Sequence, residues 1–174
     1  LSDYERDRAE RCQEYLRKAS MPAADIYSGE DGYKELCKRK DIDLVYIAPD
    51  WKHHFLVAYE AMNNGKHVAV EVPAAMNLTE IWKLIDISEK KRLHCMMLEN
   101  CCYDFFELNS LNMAQKDVFG EILYVQGAYR HELSKFWDAY WKKDAQDKLG
   151  WRLDYNQKFR GDVYATHGLG PIAQ

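Results

Sequence analysis

Tyr164 and His167 stand three residues apart, a spacing that puts a phenol and an imidazole on one face if the segment is helical. Phenols and imidazoles can take up and release protons, so that face is either acid–base machinery or packed core. Tyr103, after the polar turn Glu99-Asn100, and Arg152, in Gly150-Trp151-Arg152-Leu153-Asp154-Tyr155, are further candidates, with a core aromatic and half of a surface ion pair as their plain readings. His53 and His54 follow Pro49-Asp50-Trp51, where a histidine is a cap, a packing group or a ligand contact. Two carboxylates stand at expected strand ends: Asp3 just ahead of a helical pattern, and Glu71 after His67-Val68-Ala69-Val70. The five cysteines are odd in number and lack C-x-x-C pairs, so they read as buried thiols; no metal site is expected.

The elements that must hold these side chains alternate between strand and helix with short punctuated joins, the pattern of parallel βαβ units. Helical spacing runs over residues 4–19, and Ser28 is expected to cap a helix that reaches Arg39. Leu44-Val45-Tyr46-Ile47-Ala48 is a continuous apolar run and is expected to be a strand covered on both faces. A helix over residues 53–64 ends at Gly65, and further strands are expected at residues 67–71 and 94–98. Between them, Asn77 with Glu80 resembles a capping box for a helix that runs to about Lys91. Beyond Asp104 the pattern gives a helix to about Lys116 and a long strand over residues 121–130, then a poorly periodic aromatic stretch over residues 131–159. The fold class is α/β: a partial Rossmann-like, doubly wound parallel sheet (residues 1–103), followed by the start of a second α/β domain (residues 104–174).

In that βαβ context Asp3 is expected to bind both hydroxyls of an adenine ribose and to repel a 2′-phosphate, which favours NAD over NADP; helix capping is the alternative. No G-x-G-x-x-G turn is present, and the chain is expected to be an internal piece lacking the first βαβ unit and most of a second domain.

Ala48-Pro49-Asp50-Trp51-Lys52-His53-His54 with Gly65-Lys66-His67-Val68-Ala69-Val70-Glu71-Val72-Pro73 resembles the T-P-x-x-x-H, G-K-H-V and E-K-P run of Gfo/Idh/MocA oxidoreductases. Val70-Glu71-Val72-Pro73-Ala74-Ala75, the strings around Tyr103 and Arg152, and Arg160-Gly161-Asp162-Val163-Tyr164-Ala165-Thr166-His167-Gly168-Leu169-Gly170-Pro171 are similar to glycoside hydrolase family 109. The likeness covers nearly the whole chain except a stretch around residues 142–149. The resemblance implies that Asp50, Trp51, His54, Glu71 and Asn100 contact NAD, with Glu71 at the nicotinamide ribose. It also implies that Arg152 and Tyr164 meet a sugar, and that Tyr103, Tyr164 and His167 are catalytic. Val72 departs from the oxidoreductase pattern, because it replaces a lysine that helps move a proton and valine has no titratable group.

The implied activity is hydrolysis of α-N-acetylgalactosaminides through oxidation at C3, elimination, water addition and reduction. The sequence indeed offers no clear pair of carboxylates of the usual glycosidase type. A sugar dehydrogenase and a non-catalytic sugar or dinucleotide sensor are the alternatives. A net charge of -4 with alternating signs favours neither nucleic acid nor an anionic membrane as partner, and the apolar runs are too short to span a bilayer. A small carbohydrate, with a homo-oligomer through the second domain, is the expected set of partners. Free thiols suit a reducing compartment, yet export of a longer precursor stays open.

Overall fold

The computed structural model describes residues 1–132, 134–136 and 150–174, which form two compact units, Leu1–Met97 and Leu98–Gln174.

The first unit runs β1 (Ser2–Asp3), α1 (Arg6–Lys18), β2 (Tyr27–Ser28), α2 (Gly32–Cys37), β3 (Leu44–Ile47), α3 (Trp51–Asn63), β4 (His67–Val70), α4 (Leu78–Lys91) and β5 (Cys95–Met97). β1 pairs with β2 in one parallel sheet, and β3, β4 and β5 follow each other in a second. Every pairing is parallel because a helix crosses over between consecutive strands. Val45 and Ile47 of β3 and Val68 and Val70 of β4 are buried, their branched side chains packing on Ala58, Ala61 and Met62 of α3 and on Leu84 and Ile87 of α4. Ala58 and Ala61, both fully buried, let α3 lie close to the sheet. Met62 has no solvent exposure, so Met62→Ala in the full-length protein is expected to cost about 2–5 kcal/mol and lower the thermal midpoint. An unchanged midpoint would place Met62 outside the core.

The second face of β3 differs from expectation. Leu44 is 55% and Tyr46 62% exposed, because among the described residues no helix covers that side of the strand. The apolar run therefore reports strand identity correctly and burial on both faces incorrectly.

Of the two caps expected from the sequence Asn77 is one and Ser28 is not, while α3 starts at Trp51, two residues ahead of the expected 53, behind a cap that was not anticipated. Asp50 accepts the His53 N–H at the start of α3, and Asn77 accepts the Glu80 N–H at the start of α4 while Glu80 accepts the Met76 N–H at 3.0 Å. Gly65 takes φ +76° where the chain leaves α3, a left-handed conformation that an L side chain would strain. Ser28, expected as a cap, instead pairs in β2; α2 starts after Asp31 and ends at Cys37.

The second unit holds a 3-10 turn (Asn100–Tyr103), α5 (Phe105–Gln115), a second 3-10 turn (Ser134–Phe136), α6 (Trp151–Lys158) and α7 (Ala165–Ala173). The strand expected over residues 121–130 is not formed. No neighbouring strand pairs with this segment among the described residues, and Leu123 is 86% exposed. Part of the poorly periodic stretch is helical: Trp151 and Tyr155 of α6 and Phe159 at its C-cap repeat every four residues, with ring centroids 6.1 and 5.4 Å apart. The variable residues 142–149 lie outside the described residues. Gly127 meets the backbone of Gly168 in α7 so closely that a Cβ at Gly127 would stand 2.2 Å from the Gly168 carbonyl oxygen.

Candidate functional site

In the first unit the candidate residues gather where strands end. Asp3 closes β1, and its Oδ1 accepts the Glu5 N–H at 2.9 Å while its other oxygen makes no hydrogen bond among the described residues. Asp50 follows β3 as the α3 cap, and its carboxylate also accepts a hydrogen bond from His53 Nδ1. Glu71 follows β4, where the Tyr46 hydroxyl donates to it. Trp51 is 2% exposed, so its ring is part of the packed interior.

His54, also 2% exposed, has Nδ1 2.7 Å from the Pro73 carbonyl oxygen and Nε2 3.2 Å from that of Pro49. A neutral imidazole donates through one nitrogen, and the shorter contact assigns that proton to Nδ1. Through that one hydrogen bond, to Pro73, His54 in α3 holds the segment after β4. Val72, buried at 6%, sits between Glu71 and Pro73 in this tied segment and brings no proton-carrying group to it.

The second unit builds its cluster around His167. Asp162 Oδ1 accepts the Tyr164 N–H at 2.9 Å and so fixes the entry to α7. One turn into the helix, the His167 ring stacks on Tyr164, with centroids 5.1 Å apart and planes 15° apart. Tyr129 joins them at 4.5 Å from His167 and 6.0 Å from Tyr164. The glycine contact between Gly127 and Gly168 brings Tyr129 there, since it lets the irregular segment lie directly on the helix.

Beneath this cluster lies Glu99, 5% exposed, whose Oε1 accepts from His167 Nδ1 at 2.5 Å and from the Cys101 N–H at 3.1 Å. Burial pushes the Glu99 carboxyl up, but the hydrogen bonds from His167 and from the Cys101 N–H outweigh it, and the group is held below its ordinary value. The Thr166 hydroxyl adds to this pull without reaching hydrogen-bond geometry. With the folded value lowered, the stability that Glu99 contributes is fully present above the unfolded value and is lost as pH falls through the folded one.

Cys101 has its thiol pushed up to about 11 by burial and by Glu99, which leaves it protonated at neutral pH. Glu99, Cys101 and His167 offer three buried donor atoms within 4.8 Å of one another, a grouping that the cysteine spacing did not signal.

Three further candidates lie in the same unit. Tyr103 ends the first 3-10 turn, 58% exposed, and Asn100 opens it, with Nδ2 3.9 Å from Cys101 Sγ. Arg152 lies with its guanidinium 4.2 Å from the Trp151 ring centroid. Two residues of the cluster were not singled out from the sequence. Glu99 is legible as an acidic residue directly after an apolar strand, whereas Tyr129 has no local signal because a glycine contact places it.

Parallel strands joined by helices, with an acidic residue closing the first strand, define a Rossmann-type dinucleotide-binding unit. The family model described as oxidoreductase family, NAD-binding Rossmann fold, matches residues 1–99, and that for the glycosyl hydrolase 109 C-terminal domain matches residues 103–174. The chain belongs to the Gfo/Idh/MocA oxidoreductase family, in its glycosyl hydrolase 109 branch. It is 71% identical over its whole length to glycosyl hydrolase family 109 protein 5 of Phocaeicola vulgatus and 60% identical to family 109 protein 1 of Bacteroides thetaiotaomicron. It spans 34% and 36% of those curated relatives, about a third of their length.

Among solved structures, apo scyllo-inositol dehydrogenase from Lactobacillus casei matches with a TM-score of 0.58 at 18% identity, covering 70% of this chain and 34% of that one. Aldose-aldose oxidoreductase from Caulobacter crescentus matches with a TM-score of 0.57 at 20% identity, covering 69% and 35%. These two show the fold alone. NAD is the cofactor of the family, and the donor set fits it: Asp3 keeps one carboxylate oxygen uncommitted at a strand end, where a ribose diol is read. No described helix is long and apolar enough to cross a membrane.

Proposed function

We propose that this chain is part of an NAD-dependent glycosidase that hydrolyses α-N-acetylgalactosaminides by oxidation at C3, elimination across C2 and C1, water addition and reduction. The observation that carries the reading is the His167 cluster: an imidazole stacked on Tyr164 and hydrogen-bonded to a buried carboxylate, an arrangement suited to moving a hydroxyl proton. Asp3, Asp50, Trp51, His54, Glu71 and Asn100 hold the dinucleotide in this reading, Asp3 at the adenine ribose and Glu71 at the nicotinamide ribose. NAD supplies, when bound, the acceptor and later the donor of the C3 hydride.

His167, aided by Tyr164, takes the proton of the sugar 3-hydroxyl and later returns it. The carbonyl formed at C3 acidifies the C2 hydrogen, and Tyr103, exposed at the end of its turn, removes it. Expulsion of the aglycone leaves an unsaturated ketone to which water adds. Arg152 orients the sugar. Residues 1–103 serve as the partial NAD-binding domain in this reading, and residues 104–174 as the start of a substrate and oligomerisation domain.

The buried Val72 supports a departure from the plain dehydrogenases, since the proton must then travel by another route. The full-length protein should release p-nitrophenol from p-nitrophenyl α-N-acetylgalactosaminide when NAD⁺ is present and lose that activity when the cofactor is stripped. Net accumulation of NADH without p-nitrophenol would instead identify a dehydrogenase, and neither product would fit a sensor.

A further inference from the structure

The Glu99–His167 contact carries more than packing. Both groups are buried, the contact runs through Nδ1 at 2.5 Å, and Oε2 of Glu99 is sealed from solvent with no hydrogen-bond partner. With its second oxygen sealed from solvent and unpaired, the carboxylate makes its hydrogen bonds through Oε1, to the imidazole at 2.5 Å and to the Cys101 N–H at 3.1 Å. Nε2 of His167 makes no hydrogen bond among the described residues and is not among their sealed, unpartnered polar atoms. The ring therefore presents one nitrogen inward to a fixed anion and leaves the other for a ligand.

We propose that Glu99 is the positioning residue of His167: its carboxylate accepts the Nδ1 proton, fixes the imidazole in that tautomer and leaves the Nε2 lone pair as the proton acceptor. The chemistry is an acid–base step that balances by itself. The O–H bond of a sugar hydroxyl breaks, an Nε2–H bond forms, the electron pair stays on oxygen, and the imidazolium is stabilised by the carboxylate at Nδ1.

Gly170 supports the arrangement, because a Cβ there would stand 2.7 Å from Glu99 Cγ and 3.1 Å from Cys102 Sγ. The helix carrying His167 thus reaches the Glu99 side chain only because residue 170 has none of its own. The proposal rests on the glycosidase reading for its kinetic test alone; the tautomer is a property of the folded protein.

The experiment uses the full-length protein with ¹⁵N-labelled histidine. Beside any Nδ1–H resonances of His53 and His54, wild type should show a low-field Nδ1–H proton that His167→Ala lacks, on a ring whose nitrogen shifts report an unprotonated Nε2. An Nε2–H tautomer in wild type would overturn the proposal without any variant having to fold. Stoichiometric tightly bound zinc released only by a chelator would overturn it too, since His167, Glu99 and Cys101 would then be ligands.

In Glu99→Gln the low-field proton should vanish and kcat should fall by about 10²-fold or more, with KM and NAD affinity nearly unchanged, while the thermal midpoint falls at neutral pH because the stability of the charged carboxylate is lost. Glu99→Asp, which keeps the charge, should recover part of both signals. Loss of activity in step with loss of fold in Glu99→Gln, combined with full activity in Glu99→Asp without the low-field proton, would reduce Glu99 to a packing residue. Absence of glycosidase activity in wild type alongside the Nδ1–H tautomer would sink the glycosidase reading and leave the positioning assignment standing.

Discussion

His167→Ala in the full-length protein is expected to lower turnover by ~10²–10⁴-fold, equivalent to roughly 3–5.5 kcal/mol of barrier, while NAD affinity stays close to that of wild type. The size follows from what the ring does in the proposed cycle. Without it, the 3-hydroxyl proton has no acceptor backed by a carboxylate, and the buried Glu99 loses its His167 hydrogen bond. The selectivity follows from the assigned roles, since His167 is given the sugar hydroxyl and the dinucleotide is given to Asp3, Asp50, Trp51, His54, Glu71 and Asn100. Steady-state kinetics with calorimetric NAD titration checks both halves. A variant with turnover within threefold of wild type would remove His167 from the mechanism.

The second large effect is a split between two steps that a single assay merges. Tyr103→Phe keeps the ring and removes the hydroxyl, and at a site 58% exposed this change should leave stability within about 0.5 kcal/mol. Loss of a C2 base should lower overall turnover by ~10²-fold or more, yet reduction of bound NAD⁺ on mixing with sugar should persist. Stopped-flow absorbance of the reduced nicotinamide reads the first step and p-nitrophenol release the whole cycle. Equal losses in both would assign Tyr103 to binding instead of proton removal.

Much of the dinucleotide unit was legible in the sequence because its signals are local. Strand runs, the cap Asn77, and Gly65 after α3 each act within a few residues, and all three expected strands β3, β4 and β5 pair in one parallel sheet. Coverage was misread where it depends on neighbours: Leu44 and Tyr46 are apolar and exposed, and residues 121–130 have strand chemistry without a ladder partner among the described residues. At the site the spacing of Tyr164 and His167 reported their stacked face directly. Glu99 and Tyr129 escaped because 68 residues separate Glu99 from His167 and because a glycine contact, not a motif, delivers Tyr129. His54 shows the converse: the string that picked it out is local, but its hydrogen bond from α3 to the Pro73 carbonyl appears only once the two strand ends are side by side.

The proposed cycle differs from every direct displacement at the anomeric carbon in one respect: it makes the C2 hydrogen exchangeable. The full-length protein, with NAD⁺, should therefore cleave p-nitrophenyl α-N-acetylgalactosaminide in heavy water to give product carrying deuterium at C2, read by proton NMR or mass spectrometry. Glycoside cleavage that proceeds without NAD⁺ and leaves C2 unlabelled would contradict the mechanism even with the substrate correctly assigned.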